Sequence, residues 1–170
     1  EMIATEKLGT NRVRALMPKL NMFGESKQLG HYYRPSPDGE RILLGGRRMH
    51  KQENFAKQRL HNGLTEIFPE LEDTKIDAYW RGFVAFPFDQ LPKLAVHKGI
   101  IYPSGFCGSG TVWARWLGQK AAFMVLGEAA ESAFKNLPML TLPLYSGDPW
   151  FLPLAMSYYR LRDRFSVSTK

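Results

Sequence analysis

Gly105-Phe106-Cys107-Gly108-Ser109-Gly110 joins a strand-like apolar run over residues 99–104 to a helical pattern that starts at Thr111. Three glycines in six residues let the chain turn through conformations that a side chain forbids, and they clear bulk that would hold a planar or anionic group away from the backbone. Gly105, Phe106, Cys107, Gly108, Ser109, Gly110 and Thr111 are therefore candidate ligand contacts, although the same pattern also serves as a plain strand-to-helix connection. Cys107 stands at the helix start, where a thiolate can be stabilised. No histidine or other base lies near it in sequence to activate it, so packing at a turn is the favoured reading. A second pair is Tyr32 and Arg34, which share one face of a strand because alternate residues point the same way. A phenol beside a guanidinium can orient a polar or carboxylate-bearing substrate. A half-buried sheet tyrosine next to a solvated arginine is the commoner meaning of such a pair.

Other chemistries are poorly supported. His31, His50, His61 and His97 are scattered and the single cysteine stands apart from them, so no zinc spacing exists and no metal site is expected. Neither a Gly-x-Ser-x-Gly elbow nor a phosphate-loop lysine motif occurs. One cysteine in 170 residues excludes an internal disulfide, which fits a cytoplasmic location. The net charge of +7 permits an acidic partner, with Arg47, Arg48 and Lys51 as the densest basic patch. The 23 basic residues are nevertheless spread over the chain instead of lining an aromatic groove, which argues against nucleic acid. No apolar run is long enough to span a bilayer.

The elements that must carry these residues follow from the hydrophobic pattern. Residues 2–5 read as a strand, and Thr10 or Asn11 as the cap of a brief helix ending before Pro18. Residues 29–36 and 42–44 read as a hairpin turning at Pro37-Asp38-Gly39. Ala56, Leu60, Leu64 and Ile67 recur at helical spacing within residues 53–68. Aromatic and β-branched residues over 75–86 predict one long strand, with Gly82 marking a bulge or a close backbone approach. Residues 94–96 and 100–102 flank Lys98-Gly99 as a second hairpin. The helix over 111–126 is apolar nearly all round, with Val112, Trp113, Trp116 and Leu117 in its first half, and so should be buried or covered. A short helix over 128–136, a proline-punctuated connector over 138–149 and a tail helix over 151–165 complete the chain. Strands early and helices late predict an α+β fold with a mixed, mostly antiparallel sheet and flanking helices.

Five segments in this order resemble a known family: the strand at 2–6, YYRPSPDGERILLGG at 32–46, FPEL at 68–71, WRGFVAFPFDQLPKL at 80–94 and GFCGSG at 105–110. The succession is similar to the C-terminal half of FAD-dependent oxidoreductases of the D-amino-acid oxidase superfamily, in the glycine, sarcosine and γ-glutamylputrescine oxidase-like branch. The tail SGDPWFLPLAMSYYRLRDRF from Ser146 resembles the ending of bacterial members. The resemblance implies a substrate-binding and flavin-covering domain over residues 1–126 and a helical extension over 127–170 packed on it. It also implies that the backbone of residues 105–111 and the positive helix end face the pyrimidine edge of the flavin, where negative charge gathers on reduction. Tyr32 falls where the family places a substrate-facing tyrosine, and Arg34 follows it on the same face; no catalytic acid or base is implied. The whole enzyme would move a hydride from the carbon beside an amine nitrogen to FAD, giving an imine and, with oxygen as acceptor, hydrogen peroxide.

The departures refine this expectation. Gly82 stands where covalently flavinylated sarcosine oxidases carry the attaching cysteine, so FAD should be non-covalent. Ser109 and Val112 replace a histidine and a carboxylate-binding lysine of those enzymes, which argues against sarcosine-like specificity. Gly-x-Gly-x-x-Gly with a following acidic residue is absent, so the FAD pyrophosphate has no seat in these residues. The chain reads as a C-terminal piece, inactive alone, whose partners would be a small amine or amino acid and the N-terminal FAD-binding domain of the same protein; a homo-oligomer is compatible with this. The rival readings are a basic, non-catalytic binding module that keeps the oxidase-like sheet, and a plain structural domain. An uncovered apolar surface on the helix after the glycine turn would favour the first reading over the module.

Overall fold

The computed structural model describes residues 1–47, 52–141, 143–147 and 149–167, so Arg48, His50 and Lys51 lie outside the described residues. The chain divides into two compact units, Glu1–Gly82 with Pro149–Lys170, and Phe83–Asp148. The class is α+β, as the element order implies.

The first unit is built on an antiparallel sheet. Strands β1 (Met2–Thr5), β2 (Phe23–Gly24), β3 (Tyr32–Pro35), β4 (Ile42–Gly45) and β5 (Ile76–Trp80) lie in the order β2-β3-β4-β1-β5. The β3–β4 hairpin turns where Pro37-Asp38-Gly39 predicted. Gly39 takes a φ of 71°, Ser36 Oγ donates to the Asp38 carboxylate, and the Glu40 amide donates to Asp38 at 3.1 Å. Helix α2 (Glu53–Ile67) buries Ala56, Leu60 and Leu64 completely, and Leu60 and Leu64 pack with Ile3, Ile42 and Leu44 of the sheet. Tyr33 lies on this core face, stacked on Phe23 and edge-on to Phe68, each at 5.5 Å. Helix α1 (Thr10–Leu16) starts from Gly9, at φ 81°, and not from a Thr10 or Asn11 side-chain cap: the Gly9 carbonyl accepts from the Val13 amide while its own N–H donates to Glu40. Later in the chain, helix α3 (Gly110–Val125) belongs to the second unit and helix α4 (Leu152–Val167) to the first. The Asp163 carboxylate of α4 accepts the amides of Gln28 at 2.8 Å and Leu29 at 2.9 Å.

The long strand expected over 75–86 stops at Trp80. Trp80 pairs with Met2 of β1, and residues 81–86 pair with no strand among the described residues and lie exposed, Phe83 completely. Gly82 makes neither a bulge nor a close approach, since nothing lies within 4 Å of where its Cβ would stand.

In the second unit β6 (Lys93–His97) and β7 (Ile100–Ser104) form the expected hairpin, whose Lys98-Gly99 turn places both residues at positive φ, 49° and 77°. β7 runs into α3, which packs against it. The helix expected over 128–136 is absent, because its backbone is used elsewhere. The Leu94 amide donates to the Phe134 carbonyl at 3.0 Å, Lys135 bridges in parallel to Leu94, and the Phe134 ring meets Trp113 at 5.0 Å and Trp116 at 5.9 Å. Only Leu117 of α3 is buried, so the cover expected for this apolar helix is missing among the described residues. No helix among the described residues is long and apolar enough to cross a membrane.

Candidate cofactor and substrate sites

The glycine turn of the second unit is shaped by three positive φ angles, Gly105 at 72°, Cys107 at 51° and Gly108 at 89°. Gly105 is obligatory on two counts: its φ suits glycine, and a Cβ there would stand 2.5 Å from Pro87 Cγ. Pro87 therefore seats the start of the turn, and the Cys107 amide, donating to the Ala85 carbonyl at 3.2 Å, ties down its middle. Ser109 precedes α3 without making a side-chain cap, and its carbonyl accepts from Val112 and Trp113. The amides of Gly108, Gly110 and Thr111 have no acceptor among the described residues. No acidic side chain occupies the first turn of α3, so none of its own residues caps the positive end. The arrangement offers three N–H donors to an electron-rich ligand edge.

Cys107 is partly buried and its Sγ contacts the Gly105 carbonyl oxygen at 3.4 Å. Burial, and then the Asp89 carboxylate, push its thiol above the ordinary cysteine range. This is the opposite of an activated thiolate and agrees with a packing role.

Tyr32 and Arg34 do share one face of β3, the face opposite the core, and both are exposed. The Tyr32 ring lies over the neighbouring strand at Gly45: a Cβ on Gly45 would fall 2.4 Å from Cε2 and 2.7 Å from the hydroxyl oxygen. Partial burial raises the Tyr32 pKa, keeping the phenol protonated and able to donate. Neither the Tyr32 hydroxyl nor the Arg34 guanidinium has a hydrogen-bond partner among the described residues. The role of Gly45 escaped the sequence reading, yet the hairpin register that pairs Tyr32 with Gly45 carries the signal. The neighbouring His31 repeats the device on the helical side, its ring filling the space where a Gly63 Cβ would stand, 2.5 Å from Cε1, while Nδ1 meets Glu25 at 2.9 Å.

Against this geometry stand the similarities to known proteins. The chain is 32% identical over 157 residues to a probable oxidoreductase OrdL of Rhizobium meliloti, an alignment covering 88% of the chain and 36% of that protein. It is 29% identical to the γ-glutamylputrescine oxidoreductase of Escherichia coli over 98% of the chain and 40% of the relative. The chain is a sequence relative of these oxidoreductases. A probable oxidoreductase OrdL of Haemophilus influenzae matches at 25% identity over 96% of the chain and 38% of its own length. The chain thus spans well under half the length of the curated relatives it matches. No protein-family model matches it, and no solved structure does.

Proposed function

We propose that the chain is the substrate-binding and flavin-covering part of an FAD-dependent oxidoreductase acting on an amine or amino acid. The observation that carries this reading is the turn at residues 105–111, whose Gly108, Gly110 and Thr111 amides have no acceptor among the described residues, at a helix start with no acid in its first turn. These donors fit a flavin: they would hydrogen-bond its electron-rich pyrimidine edge and stabilise the charge that accumulates there. FAD held there would supply the redox chemistry, a two-electron oxidation of the amine to an imine that water can hydrolyse, with oxygen reduced to hydrogen peroxide. The chain's own residues bind and orient. Tyr32 donates from its phenol, Arg34 pairs with a carboxylate, and the glycine turn would offer its free amides to the flavin edge. No residue is assigned proton transfer.

The uncovered apolar surface supports a large partner over the second unit. Val112 is 65% exposed and Val125 76%, and Phe83 and Val84 of the same unit are exposed too, large apolar side chains that a docked partner would cover. The partner in this reading is the FAD-binding part of the same, longer protein, with FAD held non-covalently. The name of the E. coli relative makes acylated diamines the first substrates to try. The test is flavin absorbance of the full-length protein, purified natively and then precipitated with acid. FAD released into the supernatant is the expected result; a colourless protein refutes the reading and leaves the basic binding module.

A further inference from the structure

Helix α4 meets the first unit along one side. Met156 is buried and Tyr159 and Asp163 are partly so, at the three- and four-residue spacing of a single helix face, and the Asp163 carboxylate on that face is engaged by the Gln28 and Leu29 amides. On the opposite side Leu154, Tyr158, Leu161 and Phe165 recur at intervals of four, three and four residues, each with more than half of its surface exposed. At about 100° per residue they fall within an arc of about 60°, a stripe about 16 Å long. Trp150, in the turn that leads into α4, adds an exposed indole at its N-terminal end. Around the helix Arg160 and Arg164 lie to one side of the stripe and Arg162 to the other, while the helix's one acid, Asp163, is on the inward face. Arg160 and Arg164 make no ion pair among the described residues. A second copy of α4 could fill a stripe of this spacing as coiled-coil helices do, but it would set arginine flanks against arginine flanks. An anionic bilayer takes large apolar side chains below its headgroups and offers phosphates to the cations beside them, and tryptophan and tyrosine settle at that depth.

We propose that the outer face of α4 is a docking surface for an anionic lipid bilayer. The helix lies parallel to the membrane, with Leu154, Tyr158, Leu161 and Phe165 at the acyl boundary and Arg160 and Arg164 among the headgroups. Lying on the surface needs no membrane-crossing helix, and the Asp163 hold on residues 28 and 29 fixes which side of α4 is presented. The proposal stands apart from the flavin reading, since it calls on none of the residues assigned to FAD or substrate.

The test is flotation of the full-length protein with vesicles of equimolar phosphatidylglycerol and phosphatidylcholine, and with phosphatidylcholine alone. Wild type is expected to float with the anionic vesicles and at least tenfold less with the neutral ones. Leu161→Glu should lower binding to anionic vesicles about tenfold or more while leaving the thermal melt unchanged, because the side chain it replaces is exposed. Should that variant melt early, Leu154→Glu, at the other end of the stripe, decides in its place. The double variant Arg160→Gln, Arg164→Gln should lose about fivefold per charge, and high salt should act in the same direction. Arg14→Gln, which removes an exposed charge on α1 of the same unit, should change little. A wild type that floats with neither vesicle overturns the proposal. So does an Arg14→Gln loss equal, per charge, to that of the flank variant, which would assign the attraction to the net charge of the chain. Self-association that Leu161→Glu abolishes while vesicle binding persists would give the stripe to a second copy and overturn it as well.

Discussion

Replacing Gly45 by alanine separates the position of the Tyr32 ring from the stability of the sheet that carries it. Gly45 lies in β4 and is not among the glycines at positive φ, so its backbone accepts alanine without strain. Removing a glycine from a strand is worth roughly 0.5–1 kcal/mol through the unfolded chain. Against this, the new Cβ would stand 2.4, 2.5 and 2.7 Å from three atoms of the Tyr32 ring. An ordinary carbon contact needs about 3.5–4.0 Å, so the ring must withdraw by about 1 Å or more. Lifting it from the sheet exposes on the order of 40 Å² of apolar surface, about 1 kcal/mol at 25 cal/mol per Å². The two effects nearly cancel, and Tm should move by only a few degrees. Function should not be spared, because a displacement of 1 Å at a substrate contact costs about 10²-fold. The assay is amine-dependent kcat/KM in the full-length protein beside a thermal melt, with Tyr32→Phe, which removes one hydrogen bond, expected to lose only about fivefold. An activity-independent readout is the Tyr32 phenol itself: burial holds its pKa up, so moving the ring into water should lower it toward the ordinary value in an NMR titration. Unchanged kcat/KM together with an unchanged Tyr32 titration would refute the reasoning.

Gly105→Ala should be more damaging, since it joins a positive φ to a Cβ placed 2.5 Å from Pro87 Cγ; flavin retention by the full-length protein should fall at least tenfold, and full retention would show that the turn is dispensable. Cys107, its thiol held high by burial, should react with iodoacetamide at pH 8 more slowly than free cysteine; a faster reaction would reverse the assignment of this residue. Leu60→Ala opens the fully buried centre of α2 and should cost about 2–5 kcal/mol in denaturant unfolding. Asp163→Ala should speed hydrogen exchange at the Gln28 and Leu29 amides about tenfold while leaving the Ile3 and Leu44 amides protected, whereas equal acceleration everywhere would mean that the whole unit is loosened.

Local signals were reliable where the structure kept pairing local. Strand alternation puts Tyr32 and Arg34 on one face, and the register set by the Pro37-Asp38-Gly39 turn puts Gly45 across from Tyr32. Ala56, Leu60 and Leu64 read as a helix face because the sheet they cover is continuous with them. The aromatic run after Trp80 reads as strand from its composition, but a strand exists only beside a partner, and none lies beside it among the described residues. Residues 128–136 have helix-forming composition, yet the Phe134 carbonyl serves Leu94, a claim from outside the segment that no window of sequence contains. In the candidate sites, glycine content marked residues 105–111, but the reason for Gly105 lies at Pro87, and only the fold brings the two together.

The hold of Asp163 on the amides of Gln28 and Leu29 also sets an order of events during synthesis. The carboxylate is made 134 residues after Leu29, with the whole second unit translated in between. At about 5–20 residues per second the ribosome needs roughly 7 to 27 s to cover that distance. Over that interval the amides of residues 28 and 29, just before the Tyr32 strand, lack this carboxylate, while β3 and β4 are free to pair as soon as their turn has emerged. The sheet is thus an early structure and its clamp a late one. A ribosome stalled before Asp163 would display the strand bearing Tyr32 with its approach unfastened.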